Sequence, residues 1–183
     1  VDGNYNMQPE TGYVSPVAGK DCFTFTNNTQ NLCAYLDYNA SSTSYLPMSI
    51  EIAFRTNRLD NNNIIYASSV LKSGGSSARY WSRTIRGDFT TFTEATGQGT
   101  FCVTRTESKN GVKSAYFSGE LKSNNSNIWN LYASPLSIGK TITGDYTSAY
   151  FVGDICSVRI YSRALTAEEV AYNYSIDKAR FGI

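Results

Sequence analysis

Residues 149–183, AYFVGDICSVRIYSRALTAEEVAYNYSIDKARFGI, restrict the fold more than any other stretch of the chain. Gly153 and Asp154 open an alternation in which Cys156, Val158 and Ile160 point one way and Ser157, Arg159 and Tyr161 the other. That period of two belongs to a β-strand with one buried face. A helix follows almost at once: Thr166 is a good N-cap, Glu169 stands three residues on as the return half of a capping box, and Leu165 and Val170 are spaced as a hydrophobic staple.

Upstream, the same alternation recurs in short pieces. Residues 22–26 and 32–38 read as two strands joined by the NNTQN loop, and 49–56 puts Ile50, Ile52 and Phe54 opposite Glu51, Ala53 and Arg55. The run 64–71, the turn at 73–77, a strand over 78–85 and a short strand at 89–93 come next. Residues 100–107 and 112–122 flank Asn110-Gly111, the dipeptide that favours a two-residue hairpin turn. Some dozen short strands at eight-to-twelve-residue spacing, with one terminal helix, predict an all-β fold: a two-sheet antiparallel jelly-roll sandwich. Residues 1–20, rich in Pro and Gly, read as an N-terminal arm or linker, leaving 21–183 as a single domain.

The closing stretch resembles that of bacterial laminin-G-like domains of the concanavalin A-like lectin/glucanase superfamily, whose pattern is roughly G-x-I-x-x-x-R-I-Y-x-R-x-L-(S/T)-x-x-E-(I/V). Gly153, Ile155, Arg159, Ile160, Tyr161, Arg163, Leu165, Thr166, Glu169 and Val170 are the matching residues. Tyr116, Gly119 and Leu121 keep part of a central strand pattern, and Leu136, Ile138 and Gly139 keep a short L-x-I-G strand. The chain departs from the family at Ser118, where Asn or Asp is usual, and at Gly99-Thr100, where Trp-His is usual. The resemblance covers about residues 30–175 and implies a concanavalin A-like sandwich that serves elsewhere as lectin, adhesion domain or spacer.

Composition narrows the chemistry. Sixteen basic against fifteen acidic residues, with no run of like charge, give a nucleic acid or an anionic membrane nothing to attract it. No apolar stretch approaches the length of a membrane span, and without an initiator Met or signal peptide Val1 reads as a processing boundary. The absence of His removes the usual general base and the commonest transition-metal ligand. Four cysteines, at 22, 33, 102 and 156, lack CxxC spacing, which argues against zinc. A Cys22–Cys33 pair across a short hairpin-like excursion stands beside the alternative of buried thiols, while Cys102 and Cys156 are less suited to pair.

Glycoside hydrolysis needs two carboxylates across a cleft, which on a sandwich come from an E-x-D-x-x-E strand, and the chain has no such run. Glu51 stands alone on its strand and reads as a solvated side chain; Glu94 lies beside a turn; Glu168 and Glu169 belong to the helix start. The chain is therefore expected to bind rather than transform. A sugar ring stacks its apolar face on Trp or Tyr while amides and Arg meet its hydroxyls, so the candidates are Trp129, Asn130 and Tyr132 in one loop, Trp81 and Arg83 on a strand, and Tyr146 near Gly144. Against this stand a loop-anchoring role for Trp129 and a core role for Trp81. The resemblance also implies calcium, with Asp37 and Asp154 as candidate ligands or as ordinary edge carboxylates. The expected function is a non-catalytic, lectin-like carbohydrate-binding module of a larger secreted or cell-surface bacterial protein, with a glycan as partner. The alternative is a structural, adhesion or protein-interaction domain of a phage virion or surface assembly, strapped to neighbours by its arm.

Overall fold

The computed structural model describes residues 9, 12, 14–30, 32–35, 48–58, 64–70, 79–84, 97–106, 113–124, 135–139 and 150–183. Within them β1 (Val17–Ala18), β2 (Phe23–Phe25), β4 (Met48–Arg55), β7 (Gln98–Arg105), β8 (Lys113–Phe117), β9 (Glu120–Asn124) and β11 (Gly153–Tyr161) form one sheet, ordered β1-β2-β11-β4-β7-β8-β9. A second sheet takes β3 (Leu32–Tyr35), β10 (Pro135–Ile138), β5 (Ile64–Val70) and β6 (Arg79–Thr84) in the order β3-β10-β5-β6. Every pairing within the two sheets is antiparallel, and one helix, α1 (Ala167–Phe181), closes the chain. The expected strand at 89–93 and the Asn110-Gly111 turn lie outside the described residues.

The core lies where the alternation of β4 predicts it. Ile50, Ile52 and Phe54 are buried on one face together with Phe101 and Phe117, and Phe54 meets the rings of Phe117 and Phe151 at 6.2 and 6.4 Å. Phe25 packs edge-on against Phe151 at 5.9 Å, a favourable aromatic geometry. Gly139, at the end of β10, brings the second sheet against this cluster: with φ +86°, a Cβ there would stand 2.3 Å from the Phe25 ring. The other face of β4 carries Ser49, Glu51 and Ala53, all fully buried, and α1 lies over it.

Two local features depart from the expected pattern. The run 112–122 is two strands, not one: Phe117 pairs with Glu120 around a Ser118-Gly119 turn, with φ +50° and +82°. Both central residues at positive φ define the primed hairpin turn, and this is why Asn or Asp suits position 118 better than Ser. In β11 the register against β4 shifts between Ile155 and Ser157, a β-bulge. Because a one-residue shift moves a side chain to the other face, Cys156 leaves the set of Val158 and Ile160 and packs with Ala53, Phe181 and Ile183 under α1.

That bulge also settles the partner of Cys22. The bridge is Cys22–Cys156, across 134 residues, and not the short Cys22–Cys33 loop. Cys22 directly precedes β2, whose Phe23 pairs with Ile155 of β11, so the sheet register places the two sulfurs side by side. Cys102 is a buried free thiol on the α1 side of β7. The last part of the arm also joins the sheet, with Val17 and Ala18 pairing with Thr24 and Phe23 at its edge.

Gly139→Ala is expected to cost about 3 kcal/mol or more, combining the left-handed backbone penalty with overpacking against Phe25. Urea unfolding of the variant against the parent measures it.

Candidate functional site

Capping and staple hold α1 as the local pattern predicts. Thr166 accepts from the Glu169 N–H, the Glu169 carboxylate accepts from the Thr166 N–H, and Leu165 and Val170 are buried in one cluster with Cys102 and Tyr116. Arg163 donates to both Glu169 oxygens at 2.6 Å; with the Thr166 N–H it holds that carboxyl down at about 2. Ser49, buried in β4, accepts from the Leu165 N–H and donates to the Arg163 carbonyl, pinning the β11–α1 turn to the sheet.

Beneath α1 lies the main polar constellation of the described residues. Glu51 is fully buried, which corrects its reading as a solvated side chain, because the helix covers the polar face of β4. Its Oε2 accepts from Arg159 Nε at 3.1 Å, the Tyr161 hydroxyl at 3.1 Å and Asn173 Nδ2 at 2.8 Å. Arg159 also reaches Asp177 with Nη1 at 2.8 Å and Nη2 at 2.5 Å, and Thr100 donates to the same carboxylate at 3.1 Å. The guanidinium thus stands between two buried carboxylates, the forked geometry for which Arg is suited.

Electrostatics follow the geometry. Burial opposes the charge on Arg159, but Asp177, aided by Glu51, outweighs it and raises the guanidinium above its ordinary value. Burial, then the Glu51 charge, pushes Tyr161 up to about 12. The same two causes raise the Cys102 thiol and keep it protonated. Both carboxylates engage Arg159 beneath the helix, so this cluster braces the fold.

Trp81 and Arg83 lie on β6, an edge strand of the four-stranded sheet, with Trp81 in register with Ser68. Trp129, Asn130, Tyr132, Tyr146 and Asp37 lie outside the described residues. Asp154, on β11, accepts from the Thr24 hydroxyl at 2.7 Å and faces Arg55 Nη2 at 3.5 Å. Among the described residues no group of three or more His, Cys, Asp or Glu gathers to hold a metal, and no helix is long and apolar enough to cross a membrane. Sequence reasoning passed over the Glu51–Arg159–Asp177 brace. Its one local signal is the polar pair Asn173 and Asp177, which continues the helix stripe begun by Val170 and ended by Phe181.

A sequence profile of laminin-G type, described as the concanavalin A-like lectin/glucanases superfamily, matches residues 24–171. No curated protein sequence matches. Similar solved structures include the receptor binding domain of botulinum neurotoxin D, at 15% identity and TM-score 0.57, covering 97% of this chain and 47% of that one. Domain 4 of an extracellular arabinanase from Geobacillus stearothermophilus, solved with arabinotriose, matches at 16% and 0.57, covering 93% and 81%. The botulinum neurotoxin serotype D ligand binding domain in complex with N-acetylneuraminic acid matches at 14% and 0.53, covering 93% and 44%. The chain spans about half the length of the neurotoxin domains, and at these identities the likeness is one of fold.

Arg159→Met leaves Glu51 and Asp177 buried without their counter-ion and is expected to cost about 3–5 kcal/mol in urea unfolding. At alkaline pH, Tyr161 makes a separate prediction. Its pKa is raised in the folded state from 10.0 to about 12, so its contribution to stability is complete below about pH 10 and fades between there and pH 12. Stability measured across that window is expected to fall, and Tyr161→Phe is expected to flatten that part of the curve.

Proposed function

The chain belongs to the concanavalin A-like lectin/glucanases superfamily, and we propose that it is a non-catalytic carbohydrate-binding module of a larger secreted or cell-surface bacterial protein. The observation that carries this reading is the fold match to a domain solved with arabinotriose, extending over 93% of this chain and 81% of that domain. The sialic acid complex of a second similar domain supports the same class of ligand. Sites on such a sandwich need exposed aromatics with amides beside them, and Trp129, Asn130 and Tyr132 supply that mixture in one loop. Trp81 and Arg83 offer a second contribution from the edge of the four-stranded sheet, whereas α1 covers the polar face of β4 in the seven-stranded one.

A different reading, a protein-interaction domain, draws on Val14, Val17 and Phe23, which are exposed apolar residues at or beside the β1–β2 edge. Sheet edges accept strands from partners.

A glycan array separates the two. Binding to a defined glycan is expected, and a Trp129→Ala/Tyr132→Ala variant is expected to lose it by roughly ten- to a hundred-fold at unchanged melting temperature, the worth of two stacked rings. A blank array together with self-association would favour protein interaction instead.

A further inference from the structure

We propose that Cys22–Cys156 is an exchangeable disulfide: a low-molecular-weight thiol attacks Cys156 Sγ, Cys22 departs as a thiolate held by Arg55, and β1 and β2 are loosened from β11.

The two ends of the bridge stand in different surroundings. Arg55 Nη2 lies 3.3 Å from Cys22 Sγ, while Cys156 packs against Ala53, Phe181 and Ile183. Both cysteines are half-buried, so a small thiol has access that a fully buried bridge would deny. In thiol–disulfide exchange the sulfur with the lower thiol pKa leaves faster, and an adjacent guanidinium lowers it. The arginine therefore directs cleavage, with Cys22 as the leaving group and Cys156 as the site of the mixed disulfide. Arg55 is itself held in place, donating to the Phe181 carbonyl at 3.3 Å and facing Asp154 at 3.5 Å.

The step balances with thiol as the reductant. One thiolate bonds to Cys156 Sγ as the S–S bond breaks, and the electron pair leaves on Cys22. A second thiolate attacks the reductant's sulfur in the mixed disulfide, releasing the disulfide RSSR and a Cys156 thiolate that takes a proton from water. Two thiols are oxidised and the protein's disulfide is reduced.

The consequence is local. Phe23, Thr24 and Phe25 pair with Ile155, Asp154 and Gly153, and β1 reaches the sheet through Phe23 and Thr24. Phe25 is fully buried and anchors one end of β2, but Phe23 is 43% exposed and leans on the neighbouring bridge. Opening the bridge frees that outer end while the Arg159 brace still holds α1.

The test treats the folded chain with glutathione at neutral pH, quenches with acid, alkylates free thiols and maps the products by mass spectrometry. The expected result is glutathione on Cys156 with alkylated Cys22, an Arg55→Gln variant slower by about ten-fold, and Arg55→Lys near the parent rate. Both variants are first checked for an unchanged fold by circular dichroism, and in 8 M urea (a condition of the assay, about the usual denaturing strength) parent and Arg55→Gln are expected to react alike. Hydrogen exchange is expected to rise over residues 17–24 on reduction while β4 and α1 stay protected. Equal rates for parent and Arg55→Gln in the folded state, glutathione on Cys22, or exchange that rises across the whole chain would each overturn the proposal.

Discussion

The fold depends on one half-buried guanidinium set between two buried carboxylates. Arg159 projects from β11 beneath the helix and meets Glu51 of the adjacent strand and Asp177 of α1, joining two sheet strands and the helix through one side chain. Without it, Glu51 and Asp177 would be buried with no counter-ion, and the helix would keep its apolar ends and the hydrogen bonds from Asn173 to Glu51 and from Thr100 to Asp177. Val170 and Leu165 pack at one end of that helix face, Phe181 and Ile183 at the other, and the charges fill the middle. Buried ion pairs add little over an apolar core, but they tolerate few alternative arrangements, and here they fix where α1 docks.

The family residues of the closing stretch acquire separate physical roles once placed. Arg159 and Tyr161 serve Glu51; Arg163 clamps the capping Glu169; Leu165 and Val170 share a buried cluster; Ile160 pairs with Ile50 across β11 and β4. Each of these contacts lies within the closing segment or joins it to the sheet. The motif that identifies the family therefore describes how the sandwich is closed, which is why it carries fold so much better than function.

Edges and corners carry the remaining constraint. The seven-stranded sheet ends at β1, a two-residue strand, and its first internal neighbour β2 is tied to β11 by sulfur. Arg55 gathers that corner, touching Cys22, Asp154 and the carbonyl of Phe181. A disulfide spanning 134 residues restrains the unfolded chain strongly, so a short edge that would fray by itself is retained.

Much of the architecture was legible in the chain. The period of two over 153–161, the capping box at Thr166 and Glu169, and the alternation of β4 each rest on residues within four positions of one another, so local sterics and hydrogen bonding determine them. For the candidate glycan residues the sequence supplied residue type alone, and Trp129, Asn130 and Tyr132 remain chosen by chemistry. What only the tertiary structure decided depends on contacts far apart in sequence. The bulge in β11 turned Cys156 to the helix side, register brought Cys22 beside it, and docking of α1 buried Glu51 that its own strand would leave in water. Periodicity names the two faces of a strand; which face is covered, and by what, is set by the partner that packs there.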